Sequence, residues 1–175
     1  MKKTQLSRRI AVLAVLVGLS TLGRFLFAWL PGFKPLGAVA ILAGMYMGPA
    51  SGFLVGTLSI VVSNFYFGHG PWTLFQIAAL GLIGFLAGVL GPILRRNRFF
   101  LAVYGVLSAF LFSGVMDLWT AFWMDGGFVL RRYLVLLGAA MPFTVIYACS
   151  NVVFLWVLMK PVGKVLERLQ VKYGV

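Results

Sequence analysis

The side chains able to do chemistry in this sequence are few, and they sit at helical spacing. Ser113, Asp117 and Thr120 recur at i, i+4 and i+7, and Thr144, Tyr147 and Asn151 at i, i+3 and i+7, so each set falls on one helix face. Asn64 lies near the end of one apolar run, and Trp72 and Gln76 near the start of the next. Phe112, Met116, Trp119 and Trp123 form an aromatic face beside Asp117. Polar groups in such apolar surroundings are costly and mark functional sites. Together with the aromatics they suggest a pocket with a few convergent polar groups. Asp117, the only acid within an expected span, either meets a ligand donor or pairs with Arg24, Arg131 or Arg132.

The chemistry this set can do is binding. The single histidine, His69, lies in a Gly-rich loop, which leaves a histidine metal site or a Ser-His-Asp triad without its parts. Asp117 and Asp125 are too far apart in sequence for a metal-binding diacid motif, and no phosphate-cradling P-loop is present. Cys149 is the sole cysteine and has no partner at ligand spacing. No enzyme activity, metal or cofactor is expected, and the chain cannot hydrolyse ATP itself.

The elements that must position these groups are membrane helices. Of 175 residues, 62% are hydrophobic and 10% charged, against roughly 25% charged in a soluble domain. A bilayer core of about 30 Å needs roughly 20 apolar residues per helix, so the chain has room for six spans in one domain, 1–175. The first is expected over Ser7–Leu30, ending at Pro31-Gly32. A short second helix, Leu36–Met47, and a third, Phe53–Phe67, form either short crossings or a re-entrant hairpin. The fourth is expected over Leu74–Leu94, the fifth over Phe100–Met124, and the sixth from Arg131-Arg132-Tyr133 to Met159, before Pro161 and a basic amphipathic tail. The first run is longer than a signal h-region and lacks a small-x-small cleavage site, so it is read as a helix.

The 15 Lys and Arg give a net charge of +12, yet their placement speaks for topology and not for nucleic acid. Lys2, Lys3, Arg8, Arg9, Arg95, Arg96, Arg98, Lys160, Lys164, Arg168 and Lys172 fall on one side of the threaded chain, and Arg24, Lys34, Arg131 and Arg132 on the other. The positive-inside rule then puts both termini in the cytoplasm. Nearly all the polar candidates fall in the outer half of the bilayer, with Asn151 nearer the middle. Small-residue stripes, Gly52, Gly56, Ser59 and Ser63 on the third helix and Gly81, Gly84, Gly88 and Gly91 on the fourth, are read as helix contacts.

Several motifs together resemble one family. They are the basic start leading into Arg9-Ile10-Ala11-Val12-Leu13-Ala14, then Gly23-Arg24-Phe25, the loop Pro31-Gly32-Phe33-Lys34-Pro35, the short Gly-rich second and third helices, and Ser63-Asn64-Phe65 followed by Gly70-Pro71-Trp72-Thr73. The chain is similar over nearly its whole length to the substrate-binding S components of energy-coupling factor (ECF) vitamin transporters. That resemblance implies a multi-pass protein of a prokaryotic plasma membrane. It would bind a vitamin-like micronutrient from outside and dock on a membrane T component carrying two ATPases.

The substrate site implied comprises Phe33, Lys34, Asn64, Trp72, Gln76, Asp117, Trp119, Thr120, Thr144, Tyr147 and Asn151. The family's Ala-x-x-x-Ala docking motif has its nearest match at Ala14 and Gly18, with Ala11 one turn earlier. The Ser-Asn and Gly-Pro-Trp-Thr pattern is most similar to a subgroup linked to cobalamin-type ligands, while Lys34, Arg131 and Arg132 suit an anionic ligand by long-range attraction. The competing readings are a stand-alone small-solute permease or channel subunit, which needs polar groups through both leaflets, and a membrane enzyme or assembly factor.

Overall fold

A computed structural model describes residues 3–173; Lys2, counted above among the basic residues, lies outside them. All the described regular structure is helical: α1 (Lys3–Leu26), α2 (Leu36–Met47), α3 (Pro49–Phe67), α4 (Trp72–Val89), α5 (Gly91–Arg96), α6 (Arg98–Asp125) and α7 (Leu130–Tyr173). Five of these, α1, α3, α4, α6 and α7, are long and apolar enough to cross a membrane, and α2 is a shorter apolar helix. The chain is a polytopic all-α membrane protein.

Where the helix ends differ from expectation, prolines and packing account for it. α1 stops at Leu26 and not at Leu30. The Pro31 ring opposes the carbonyl of Phe27, four residues back, and the chain there tightens into turns in which Ala28 N–H bonds Phe25 C=O and Leu30 N–H bonds Phe27 C=O. α3 starts at Pro49, four residues early, because Pro fits the first helical position and Gly48 alone makes the turn, with φ 91°. The expected fourth helix is broken at Leu90 into α4 and α5, where Pro92 lacks the N–H that would bond Gly88. α6 begins on a cap, the Asn97 side chain accepting from Phe99 N–H, and ends on Gly126 in the left-handed region.

The largest difference is α7, which does not end near Met159 but runs through Pro142 and Pro161 to Tyr173. At 44 residues and about 1.5 Å per residue it is roughly twice the hydrocarbon thickness. Its tail stays helical because it packs. Leu166 is buried, Gly163 lies under the Tyr46 ring, and Gln170 donates to the Tyr46 carbonyl. Those contacts outweigh the one backbone hydrogen bond that Pro161 forfeits.

The core is centred on α2, every residue of which is buried; it touches α1, α3, α4 and α7. The tightest seam joins α2, α3 and α4 backbone to backbone. A Cβ on Gly44 or Gly52 would fall on the Gly84 carbonyl, and one on Gly84 would fall on Gly52. The glycine stripes are thus packing devices of the kind that lets membrane helices approach closely.

The bundle has two distinct ends. At one, Arg9 Nη2 donates to the Met47 carbonyl (3.1 Å) and to Ser51 Oγ (2.7 Å), closing α1 onto the α2–α3 turn, and Arg95 lies over the Tyr46 ring. This is the basic end. The other end carries the loop of residues 27–35 and most of the polar groups singled out above.

Candidate functional site

The loop after α1 is folded back onto α7. Lys34 N–H donates to Ser150 Oγ (2.8 Å), and the Ser150 hydroxyl donates to the Lys34 carbonyl (3.0 Å). Phe27 and Phe33 pack on each other and on Phe154 of α7, with ring centroids 5.1–5.4 Å apart. Gly32 takes φ 81° and packs on α7, where a Cβ would stand 3.2 Å from the Phe143 carbonyl oxygen and 3.3 Å from Ile146 Cγ2. Beneath the loop lies a cavity of about 170 Å³ lined by Arg24, Phe27, Phe33, Lys34 and Phe67, among others.

Arg24 projects from the last turn of α1 and is held on three sides. Its Nη1 donates to Ser63 Oγ (2.5 Å) and Asn64 Oδ1 (2.8 Å), and its guanidinium lies 4.4 Å from the centroid of Phe67. Asn64 is only 1% exposed, and its amide nitrogen donates to Thr73 Oγ1 (3.1 Å) and Gln76 Oε1 (2.8 Å) of α4. Both amide hydrogens of Asn64 are therefore engaged, and its oxygen holds Arg24.

Lys34 also lines the cavity, and its ammonium lies over the rings of Phe112 (5.6 Å) and Tyr147 (5.4 Å), a geometry suited to cation–π attraction. Burial, with Arg24 nearby as the lesser cause, brings its pKa down to about 8. Tyr147 and Asn151 press on Gly37, where a Cβ would stand 2.5 Å from Asn151 Oδ1 and 2.8 Å from the Tyr147 hydroxyl.

The contacts form a polar strip running from Gln76 through Asn64 and Arg24 to the cavity, then through Lys34 to Tyr147. Of the residues expected in the site, Phe33, Lys34, Asn64, Gln76 and Tyr147 lie on it. Thr144 is bonded to Ser113 Oγ at 2.5 Å, bridging α6 and α7 one turn from Tyr147. Asn151 is fully buried, and its amide donates to the Gly105 carbonyl (3.1 Å) and Ser108 Oγ (3.0 Å), clasping α6 to α7.

The others lie apart from these contacts. Trp72 is 40% exposed, with its ring folded over Gly70. Trp119 packs on Phe75 and Trp123. The Thr120 hydroxyl bonds the Met116 carbonyl of its own helix. Asp117 forms no ion pair among the described residues: Arg132 is engaged by Asp125 (2.8 Å), Arg24 by Ser63 and Asn64, and one Asp117 carboxylate oxygen is buried without a partner.

Sequence reasoning missed Arg24 as a lining residue, reading it as an outer topological charge, part of the Gly23-Arg24-Phe25 motif and a partner for Asp117. The available signal was a cation inside the apolar run of the first helix with no acid one turn away.

A buried polar strip beside a small cavity at one end of an apolar helical bundle places the chain among membrane proteins that carry a polar site between their helices. The family model of the substrate-specific component of ECF transporters matches residues 8–166, and the chain belongs to that family. Members of that family are the substrate-specific components of transporters. The chain is 30% identical over 111 residues to a UPF0397 protein of Aliivibrio salmonicida (strain LFI1238), a match covering 61% of this chain and 60% of the relative. It is 30% identical over 97 residues to a UPF0397 protein of Aliivibrio fischeri (strain MJ11), covering 53% and 52%. The chain thus matches between half and three fifths of the length of these relatives. No solved structure matches it.

Proposed function

We propose that this chain is the substrate-capturing subunit of a prokaryotic ECF importer, lying in the plasma membrane with both termini in the cytoplasm. It takes up a vitamin-like micronutrient at the loop end, which faces outward. The observation that carries this reading is the strip itself: Arg24, Asn64, Gln76, Lys34 and Tyr147 meet under a loop, and they do so at the end opposite the Arg9 and Arg95 cluster. Intramembrane charges so gathered mark substrate sites. Trp72, Asp117, Trp119, Thr120 and Thr144 are second-line contacts for a ligand larger than the cavity.

At about 170 Å³ the cavity is smaller than the roughly 300–1,000 Å³ of small-molecule sites. Ligand entry therefore requires residues 27–35 to leave Ser150 and Phe154. A cobalamin-type ligand would need the larger displacement. The permease reading finds no support in α2, whose buried, apolar residues fill the bundle axis.

A membrane T component with two ATPases would dock along α1. Ala11 and Ala14 are exposed there, and a Cβ on Gly18 would meet nothing within 4 Å, so the face is open to a close-packing helix. Ala14→Trp should leave ligand binding intact and abolish both uptake and co-purification with the T component. Uptake that survives the substitution would remove this face from docking.

A further inference from the structure

We propose that the substrate carries a compact anionic group, a carboxylate or a phosphate, seated between Arg24 and Lys34. The proposal rests on the reading of this chain as a substrate-binding subunit and adds the chemical class of what it binds. Both cations line the same cavity, and the rest of its wall is largely aromatic and aliphatic.

Among the described residues neither cation has a counter-ion. There are three acids in the sequence. Asp125 is paired with Arg132 at the exposed end of α6. Glu167 is exposed on the tail of α7, one turn from Gly163, which packs on Tyr46 at the basic end. Asp117 makes no ion pair among the described residues.

The donors of the two cations are also largely unused. Of the five guanidinium N–H groups, those of Nη1 meet Ser63 and Asn64, which leaves Nε and Nη2 without an acceptor among the described residues. The Lys34 ammonium faces two rings and no oxygen there. Two partly buried cations with spare donors on one small cavity favour a ligand that brings negative charge and several acceptor oxygens, because an arginine fork matches carboxylate and phosphate oxygens bidentately. A neutral amide or alcohol leaves both charges uncompensated, and a cation is repelled.

The test uses the full chain in discs of zwitterionic lipid at neutral pH, where Lys34 is charged. Thermal unfolding is followed while sodium phosphate, sodium propionate or neutral propionamide is added, with sodium chloride holding ionic strength constant. At least one of the two anions should raise Tm saturably and propionamide should not; which anion acts at lower concentration distinguishes phosphate from carboxylate. Lys34→Met should raise the half-saturating concentration roughly tenfold or more, the scale of losing a charged hydrogen bond, and Arg98→Gln, at an exposed cation at the basic end of the bundle, should not. Arg24→Gln should act like Lys34→Met; if it does not fold, Lys34→Met decides alone.

The proposal is overturned if neither anion gives a saturable shift, or if the shift persists undiminished in Lys34→Met. Co-purification with the T component and ATPases, measured on the same protein, tests the underlying reading separately. A complex that forms without any anion shift refutes the substrate class only, whereas an anion shift without a complex refutes the subunit reading.

Discussion

Asn64→Ala is the perturbation that most directly probes how the site is held. Asn64 is buried and makes three side-chain hydrogen bonds: one from Arg24 at 2.8 Å, and its own to Thr73 at 3.1 Å and Gln76 at 2.8 Å. Interhelical hydrogen bonds in membranes average about 0.6 kcal/mol with a maximum near 1.7, and one to a charged group lies toward the top of that range. Two neutral bonds and one charged bond therefore sum to about 2–3 kcal/mol. Ser63 still accepts from Arg24 at 2.5 Å, which favours the lower figure. Equilibrium unfolding in mixed micelles, titrated with denaturing detergent, reads this loss directly. Combined with Arg24→Gln in a double-mutant cycle, the pair should show a coupling of about 1 kcal/mol, since contacting residues are not additive. Asn64→Asp keeps the acceptor for Arg24 but loses the N–H donors to Thr73 and Gln76, so it should lose only the smaller, neutral part of that sum. A loss below about 0.5 kcal/mol for Asn64→Ala, or additivity within about 0.3 kcal/mol, would mean that Arg24 is not positioned by this amide.

Gly84→Val should cost about 3 kcal/mol or prevent folding, because its Cβ would fall on the Gly52 backbone; Gly18→Val, with nothing within 4 Å, should stay within about 0.5 kcal/mol of wild type; expression yield and unfolding midpoints compare the two. Burial brings the Lys34 pKa to about 8 in the folded protein against about 10.4 when unfolded, so in that window the unfolded chain binds more protons and stability should rise with pH, by about 3 kcal/mol at most. Unfolding midpoints across that window should show the rise in wild type and a flat profile in Lys34→Met.

What the sequence made legible was local. The ends of α2 are where expected because Pro35 and Gly48 flank an unbroken apolar run. The glycine stripes were readable as contacts because small residues at helical spacing have few other uses in a membrane. The misplaced ends have causes that act at a distance. Pro31 unwinds residues four positions earlier, and the tail of α7 persists through contacts with Tyr46, more than a hundred residues away in sequence. The same division holds for the site. Asn64 and Gln76 stood out as amides among apolar residues, whereas Arg24 was counted as a topological charge because only the fold shows that no acid reaches it. Spacing put Ser113, Asp117 and Thr120 on one face, but it could not say that Ser113 meets Thr144 while Thr120 bonds its own backbone.

The two ends of the bundle differ in packing as well as charge, and the difference bears on how binding could be transmitted. The Gly44, Gly52 and Gly84 seam locks α2, α3 and α4 backbone to backbone, whereas residues 111–120 of α6 at the other end are half-buried all the way round, so no face of that stretch is fully packed. Lys34 lies over Phe112 of that stretch, and under the proposal above a bound anion would offset its charge. Because an energetic change concentrates where packing is loosest, ligand binding should raise amide hydrogen-exchange protection in residues 27–35 and 111–120 and leave the glycine seam unchanged. Protection rising equally at Gly44 and Gly84 would mean that the bundle responds as one rigid unit, and that the loop end is not the mobile element of the cycle.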